Sequence, residues 1–350
     1  MRIGMPMAYS GGFADTARDI ADFEAAGLDV VFVPEAYSFD SVSHLGYLAA
    51  KTSTLQIASG ILNIYSRTPA LLAMTAAGLD HVSDGRFVLG IGASGPQVVE
   101  GFHGVPYTAP LARTREVVEI CRRVWRRELL DHQGSHFHVP LTPEHGGGGL
   151  GKPLKIINHP VRDRVPMLLA ALGPKNVALA AELFEAWEPI FYLPEAAKSA
   201  FGDALAEGAA KRDPALGPLE IYADTKVLIT EDLEEEQRGL AAVRAHLALY
   251  IGGMGARGKN FYNDLAGRFG YEDAAREVQD LFLVGSKAEA AAALPDELVR
   301  GVSLVGPLGR VAERVAAFAE AGVTTLNAAP IGDDHATRLG SIATLVELAK

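Results

Sequence analysis

The chain has 350 residues, of which 49% are hydrophobic and 21% are charged. This balance is typical of a folded globular protein and excludes a disordered chain. The 32 basic and 43 acidic residues give a net charge of −11, which disfavours nucleic acid and anionic membrane surfaces as partners. Cys121 is the single cysteine, so an internal disulfide and a multi-cysteine metal site are excluded.

The sequence shows no segment that would direct or anchor the chain to a membrane. No apolar run approaches the roughly 20 residues of a membrane span. The apolar start over residues 1–7 is interrupted by Pro6, whereas a secretory signal needs an unbroken apolar stretch. We therefore expect a soluble, cytoplasmic protein.

Short apolar runs alternate with helical stretches along the chain. The predicted strands cover residues 2–7, 29–34, 55–60, 86–91, 165–170, 187–192, 219–229 and 323–328. The predicted helices cover residues 13–26, 42–50, 69–82, 111–128, 174–184, 195–211 and 341–348. Continuous Val, Ile and Leu runs indicate strands buried on both faces, as in parallel sheets covered by helices. The pattern predicts an α/β fold, a (β/α)8 TIM barrel that spans residues 1–350 as one domain.

The chain is about 100 residues longer than a barrel without insertions, which runs to ~250 residues. We place one insertion near residues 131–158, with a hairpin and four consecutive glycines from Gly146. The second lies near residues 232–302 and has a helical pattern.

Glu35 stands directly after the second predicted strand, where a barrel carries its functional loops. A carboxylate there is costly unless it is hydrogen-bonded or functional. One interpretation is that Glu35 serves the chemistry, and the other is that it only ties down loop backbone. Asp40, a few residues on, is a candidate cap for the next helix.

Glycines follow the fourth predicted strand in the pattern G-x-G-x-x-G, from Gly90 through Gly92 to Gly95. A dinucleotide fingerprint belongs in the first unit of a doubly wound sheet, and here Pro96 follows at once. We therefore expect these glycines to let a ligand approach the backbone.

A candidate anion site follows the fifth predicted strand, at Gly173, Pro174, Lys175 and Asn176. Backbone N–H groups at a helix start, together with a lysine, favour a phosphate. The alternative is that Pro174 simply starts the helix and Lys175 is solvated. We expect no metal site, because the histidines of the predicted hairpin lack nearby acidic ligands.

Several segments in order along the chain resemble one family. They are Val33–Tyr37, Ser66–Pro69, Ser83–Phe87, Leu89–Gly92, Ser94–Gly104, Ala171–Asn176, Gly252–Gly255 and Lys259–Leu265. On these residues the chain resembles the bacterial luciferase-like superfamily, and most closely its branch that uses the deazaflavin coenzyme F420. The segment from Ser94 to Gly104 is the most specific of them.

The resemblance implies a barrel with the deazaflavin ring at its C-terminal mouth. In relatives a non-prolyl cis peptide after strand three forms a bulge behind the ring, and Gly60–Ile61 is the matching step. The ledge that continues through Leu62 and Asn63 would support a flat ring system. The remaining positions that match cofactor contacts are Gly92 and Ser94 beside the ring and Gly173, Pro174, Lys175 and Asn176 at the phosphate.

The resemblance implies a hydride-transfer oxidoreductase that acts on a small organic substrate. We expect hydride to pass between the deazaflavin C5 and an activated C=C, C=N or C=O group, with reduction favoured. Glu35 is the candidate to orient the substrate or deliver a proton. Candidate pocket residues are Tyr37, His44 and Tyr65, with Tyr9 and His103 as further aromatic positions.

Two alternatives remain at this stage. One is an FMN-dependent monooxygenase on the same barrel, and the other is a barrel that binds a ligand without catalysis.

Some deazaflavin dehydrogenases carry a histidine soon after strand two, where this chain has Ala36 and Tyr37, which disfavours a histidine base. Relatives are often dimers or tetramers, so we expect a homo-oligomer.

Overall fold

Twelve strands are present in the computed structural model, which describes residues 1–8 and 12–350. They are β1 Arg2–Pro6, β2 Val30–Val33, β3 Gln56–Ser59, β4 Leu62–Asn63, β5 Phe87–Gly92, β6 His132–Gln133, β7 His138–Val139, β8 Met167–Ala170, β9 Ala186–Glu188, β10 Glu220–Ile229, β11 Leu304–Gly306 and β12 Thr325–Pro330. Eight of them form a parallel barrel, β4 and β11 are short additions to its sheet, and β6 and β7 form a separate hairpin.

The barrel runs in the order β1, β2, β3, β5, β8, β9, β10 and β12, and β12 pairs again with β1. Closure between β9 and β10 is made where Ala186 pairs with Glu220. Every pairing round the ring is parallel. The predicted (β/α)8 barrel is therefore confirmed.

Helices surround the barrel and also build the second insertion. They are α1 Phe13–Arg18, α2 Ile20–Ala25, α3 Ser41–Lys51, α4 Pro69–Val82, α5 Pro96–Gly101, α6 Pro110–Trp125, α7 Pro174–Leu183, α8 Pro194–Ala209, α9 Leu233–Ala248, α10 Phe261–Arg268, α11 Glu272–Leu283, α12 Lys287–Ala292, α13 Asp296–Gly301, α14 Leu308–Glu320 and α15 His335–Leu348. Single 3₁₀ turns lie at Pro143–His145 and Pro214–Leu216, and a π-helical turn lies at Leu249–Gly253. Five of these helices begin at a proline, whose fixed φ and missing N–H suit the first helical position.

The core has two layers, set by the alternation of side chains along each strand. The larger layer lies between the strands and the helices. The smaller one fills the barrel and comprises Val30, Phe32, Ala58, Val88, Leu168, Ala186 and Tyr222, with Ile61 packed against it. Phe32 occupies the space left by Gly4, where an added Cβ would lie 2.8 Å from the phenyl ring. At the barrel floor Arg2 donates a hydrogen bond to the Tyr222 hydroxyl.

Three differences between the structure and the predicted elements bear on the barrel. The predicted helix over residues 13–26 is two helices, because Asp19 between them leaves helical geometry. The sixth barrel strand ends at Glu188 rather than continuing to Tyr192, since Pro189 has no N–H to donate and Phe191 has a φ of 58°. The elements β11 and α14 were not predicted, and β11, with three residues, is too short to give a pattern.

The two regions predicted as insertions carry their own secondary structure. In the first, β6 and β7 form a short antiparallel hairpin. In the second, α9 to α13 follow one another between β10 and β11. Over residues 1–8 and 12–350, no helix is long and apolar enough to cross a membrane.

Candidate active site

The bulge after β3 contains a cis peptide bond between Gly60 and Ile61. This confirms the geometry implied by the resemblance. The chain then forms β4, which pairs with β5 at Ile91 and Gly92. A Cβ added at Gly92 would lie 3.0 Å from Cδ1 of Ile61, so the bare glycine backbone lets Ile61 pack closely against β5. Gly60, Ile61, Leu62 and Gly92 thus form one continuous ledge.

Asn63 ends this ledge and has an unused hydrogen-bond donor. Leu62 packs into the outer layer, so the alternation turns Asn63 towards the barrel interior. Its Oδ1 accepts a hydrogen bond of 2.8 Å from the Tyr65 N–H. Its buried Nδ2 has no partner among the described residues. Because an unpaired buried donor costs about 1–3 kcal/mol, this atom fits a ligand acceptor.

Ser94 and the start of α7 lie after β5 and β8, at the same end of the barrel. Ser94 is half-buried and has a φ of 57°, an uncommon backbone conformation for a residue other than glycine. Gly173 precedes α7 and supplies no side-chain cap. The Asn176 N–H donates to the Gly173 carbonyl at 2.9 Å. It is therefore already occupied, although the sequence predicts that backbone N–H groups here are available to a phosphate. Pro174 has no N–H, and the exposed Lys175 ammonium and the Asn176 amide remain as groups that can reach an anion.

Glu35 is buried and engaged by an arginine. Arg67 donates to both of its carboxylate oxygens at 2.7 Å, and the Ser41 N–H donates to Oε2 at 3.2 Å. Arg67 also donates to Asp40 at 2.7 Å. The hydrogen bonds from Arg67 to Glu35 raise the pKa of the guanidinium. This geometry favours the interpretation in which Glu35 anchors loop backbone, while proton delivery by Glu35 stays a prediction.

Asp40 caps α3 as predicted, since its Oδ2 accepts a hydrogen bond from the Ser43 N–H.

The predicted pocket residues occupy different settings. Tyr37 is 65% exposed and lies 6.1 Å from the exposed Phe102 ring, measured between ring centroids. Tyr65 is buried, and its hydroxyl donates to the Thr108 carbonyl at 2.7 Å. His44 stacks on Phe13 with the ring centroids 3.7 Å apart. Tyr37 is thus free to meet a ligand with its ring, whereas His44 and Tyr65 already have protein partners.

The two further aromatic positions predicted from the sequence are His103 and Tyr9. His103 lies edge-on to Phe102, with 5.3 Å between ring centroids. Tyr9 lies outside the described residues.

Sequence reasoning missed a polar cluster inside the barrel, in which Glu188 and Asn327 are buried and Asp224 is half-buried. Glu188 ends β9, Asp224 lies in β10 and Asn327 lies in β12. Ala186 and Tyr222 belong to the interior layer, so alternation turns Glu188 and Asp224 inward. The Asn327 amide donates to Asp224 Oδ1 at 2.5 Å and to Glu188 Oε1 at 3.4 Å.

Burial shifts the acidity of both carboxyl groups. Burial, followed by the charge of Asp224, raises the pKa of Glu188 well above its ordinary value. Burial likewise raises the pKa of Asp224 to about 7, against the opposing effects of the Asn327 hydrogen bond and of Lys226. Burial also lowers the pKa of Lys226 and, to about 4, that of His246. The raised pKa of Asp224 thus lies close to neutral pH, in a cluster where burial disfavours charge on each group.

Strand register brings this polar group to the level of the predicted cofactor ledge. Asn63 pairs with Gly92, Ile91 pairs with Leu169, and Ala170 pairs with Glu188. One row round the barrel therefore contains Asn63, Gly92, Ala170 and Glu188. With neighbouring strands about 4.8 Å apart, Glu188 lies roughly 10 Å round the ring from Gly92.

A signal for the missed residues was present in the sequence. Over residues 222–226, polar side chains alternate with apolar or small ones, and a polar residue at an inward position of a barrel strand is costly without a role. The continuous apolar character of the neighbouring strands hid this alternation.

The comparisons with known proteins identify the family. The model of the luciferase-like monooxygenase family matches residues 1–325. The chain belongs to this family.

Two relatives and one solved structure are among the most similar proteins. The chain is 42% identical over 331 residues to a Mycobacterium tuberculosis protein named "putative coenzyme F420-dependent oxidoreductase", covering 93% of this chain and 94% of the relative. It is 30% identical over 324 residues to the 5,10-methylenetetrahydromethanopterin reductase of Archaeoglobus fulgidus, covering 89% and 88%. The coenzyme F420-dependent tetrahydromethanopterin reductase of Methanopyrus kandleri has the same fold, with a TM-score of 0.78, 20% identity and coverage of 98% and 96%.

Proposed function

We propose that the protein is a coenzyme F420-dependent oxidoreductase that transfers hydride to a small organic acceptor. The observation that carries the proposal is 42% identity, across almost the whole chain, to a relative named for this activity. The relative at 30% identity is named a reductase, which supports the reductive direction. Activated C=C, C=N and C=O compounds are the acceptor class.

The residues at the barrel mouth fit a flat ring with an anionic tail. The cis step at Gly60–Ile61 and the bare backbone of Gly92 would support the ring. The unpartnered Nδ2 of Asn63 would donate to one of its polar atoms. Ser94 would lie beside the ring, and Lys175 at the start of α7 would hold the phosphate.

When bound, the reduced deazaflavin supplies the hydride. The chain's own residues bind and orient the reactants. Phe32 and Ile61 provide an apolar floor that excludes water. The Glu35–Arg67 ion pair fixes the loop after β2 against the loop after β4. Tyr37 and Phe102, both exposed, offer ring surfaces to a substrate.

Binding of F420 and of FMN to the purified protein tests the proposal. Trp187 donates to the Ala171 carbonyl, next to the predicted phosphate segment, whereas Trp125 in α6 donates to the Ala73 carbonyl in α4. In the Trp125→Phe variant we expect F420 to quench the remaining Trp187 emission at micromolar concentration, with FMN much weaker. The Trp187→Phe variant, which keeps only Trp125, is the control and should respond less.

Lys175→Ala should weaken F420 binding about 10- to 100-fold if the phosphate lies at α7, since a charge-assisted hydrogen bond contributes about 1.5–3 kcal/mol. Preference for FMN together with oxygen uptake would replace the proposal with a flavin monooxygenase. Binding of neither cofactor would remove it.

A further inference from the structure

The carboxyl groups of Glu188 and Asp224 form a pair that the proposed chemistry has not yet used. Both point into the barrel interior, and both accept a hydrogen bond from the Asn327 amide. Those two contacts place the accepting oxygens within about 6 Å of each other. Glu188 and Asn327 are 7% and 2% exposed. Two full negative charges at this spacing in a buried site are mutually destabilising.

One cation is available to offset the pair. Lys226 is on the same strand and face as Asp224, and the attraction between the two groups acts to raise the lysine pKa. His246, from α9, faces Lys226, and burial together with that lysine lowers the pKa of the imidazole to about 4, so it is neutral at pH 7. One lysine balances one carboxylate. The second carboxyl group is therefore expected to carry a proton at neutral pH.

Two unpartnered polar atoms, one on Asn327 and one in the row of Glu188 round the barrel, point to a ligand. The Asn327 Oδ1 is buried and has no hydrogen-bond partner within residues 1–8 and 12–350. The same is true of the Asn63 Nδ2, which shares the row of Glu188 round the barrel. Most buried polar atoms in native proteins are hydrogen-bonded, so two unpaired amide atoms that face the barrel interior favour a ligand at this level.

We infer that the Glu188–Asp224 pair, bridged by Asn327, holds one proton beside the ring site and delivers it to the substrate as hydride arrives. The inference rests on the proposed function. Hydride addition breaks the π bond of the acceptor C=X, forms a C–H bond and leaves the electron pair on X. The atom X then takes the proton from the pair and forms X–H.

The proton balance closes without net uptake from solvent. When bound, the reduced deazaflavin would supply the hydride and release one ring-nitrogen proton to solvent. The carboxyl group that donates to X would recover one proton from solvent, so the acceptor gains one hydride and one proton and the proton count of the solution does not change. Removal of a general acid of this kind slows a reaction by about 10²-fold or more.

The first test uses the protein without cofactor and follows thermal unfolding from pH 5 to pH 9. The raised pKa of Asp224 in the folded state means that the native protein binds more protons than the unfolded chain between pH 4 and pH 7. Wild-type stability therefore falls as pH rises from about 4 to about 7 and levels off above that. Asp224→Asn should flatten this fall. Glu220→Gln, at the first residue of the same strand, is the matched control and should follow the wild type.

The second test follows single-turnover oxidation of reduced F420 with a fixed acceptor across the same pH range. Wild-type rates should fall on the alkaline side, because the pair loses its proton there. Glu188→Gln and Asp224→Asn should each slow the step about 10²-fold while F420 affinity changes less than threefold. Glu188→Asp should restore part of the rate with a shifted pH profile, which a merely structural role would not produce.

The outcomes separate the inference from the proposed function. If F420 binds and is oxidised but Asp224→Asn retains the wild-type rate and pH profile, the proton role is wrong and the proposed function stands. If no deazaflavin binds, both fail. If Asp224→Asn leaves the pH dependence of unfolding unchanged, the pair does not share a proton and the inference is wrong.

Discussion

Glu35 accepts two hydrogen bonds from Arg67 and one from the Ser41 N–H. Because of these bonds, a substitution at Glu35 is expected to affect stability first. The side chains of Glu35 and Arg67 are 11% and 12% exposed, so the ion pair is largely shielded from solvent. Removing one partner of a buried pair leaves the other charge uncompensated. Asp40 remains on Arg67 and reduces this cost.

Glu35→Gln should lower the free energy of unfolding by about 1–3 kcal/mol, because Arg67 loses its shielded counter-ion. Asp40→Asn is the matched control, and at 56% side-chain exposure it should cost less than about 1 kcal/mol. Urea unfolding of both variants at pH 7 measures the difference. If Glu35→Gln unfolds like the wild type but turns over much more slowly, the carboxylate serves the chemistry rather than the loop.

At the scale of elements, β5 depends on glycine for contact with β3 and the ledge. A Cβ added at Gly90 would lie 1.9 Å from the Ser59 carbonyl oxygen, which belongs to backbone and cannot swing away. The Ser59 hydroxyl also donates to the Gly90 carbonyl at 2.8 Å. In the motif G-x-G-x-x-G, Gly90 thus allows β5 to pack against β3, and Gly92 allows Ile61 of the ledge to pack against β5.

Gly90→Ala should destabilise the protein by more than about 2 kcal/mol, since overpacking against backbone forces β3 and β5 apart. Gly78→Ala is the control inside α4, where an added Cβ meets nothing within 4 Å, and it should stabilise by up to about 1 kcal/mol. Denaturant midpoints of the two variants should move in opposite directions. Equal midpoints would show that β5 relaxes without cost.

Features that depend on local sequence could be predicted, whereas contacts that depend on strand register could not. The helix over residues 69–82 matches α4 at both ends, because Pro69 starts it and the Thr68 side chain caps it. The cis step at Gly60–Ile61 followed from a family motif. Glu188, Asp224 and Asn327 lie more than a hundred residues apart at the extremes, and only barrel closure brings them together. No local pattern contains that contact.

At the scale of the whole molecule, the first insertion leaves apolar side chains uncovered. Leu150, Ile157 and Leu154 are 93%, 90% and 66% exposed. Clusters of exposed apolar groups on soluble proteins commonly mark interfaces. We therefore propose that this insertion contributes to the contact between copies in the expected homo-oligomer.

Leu150→Asp combined with Ile157→Asp should convert the oligomer to a 37.1 kDa monomer, because buried carboxylates at an apolar contact are unpaired and costly. The two side chains are almost fully exposed, so the folded monomer should keep its unfolding midpoint. Val284→Asp, 74% exposed after α11, is the control and should leave the assembly intact. Light scattering after size exclusion gives the mass of each. A wild-type protein of monomer mass at every concentration would contradict the homo-oligomer, and an unchanged assembly of the double variant would move the interface elsewhere.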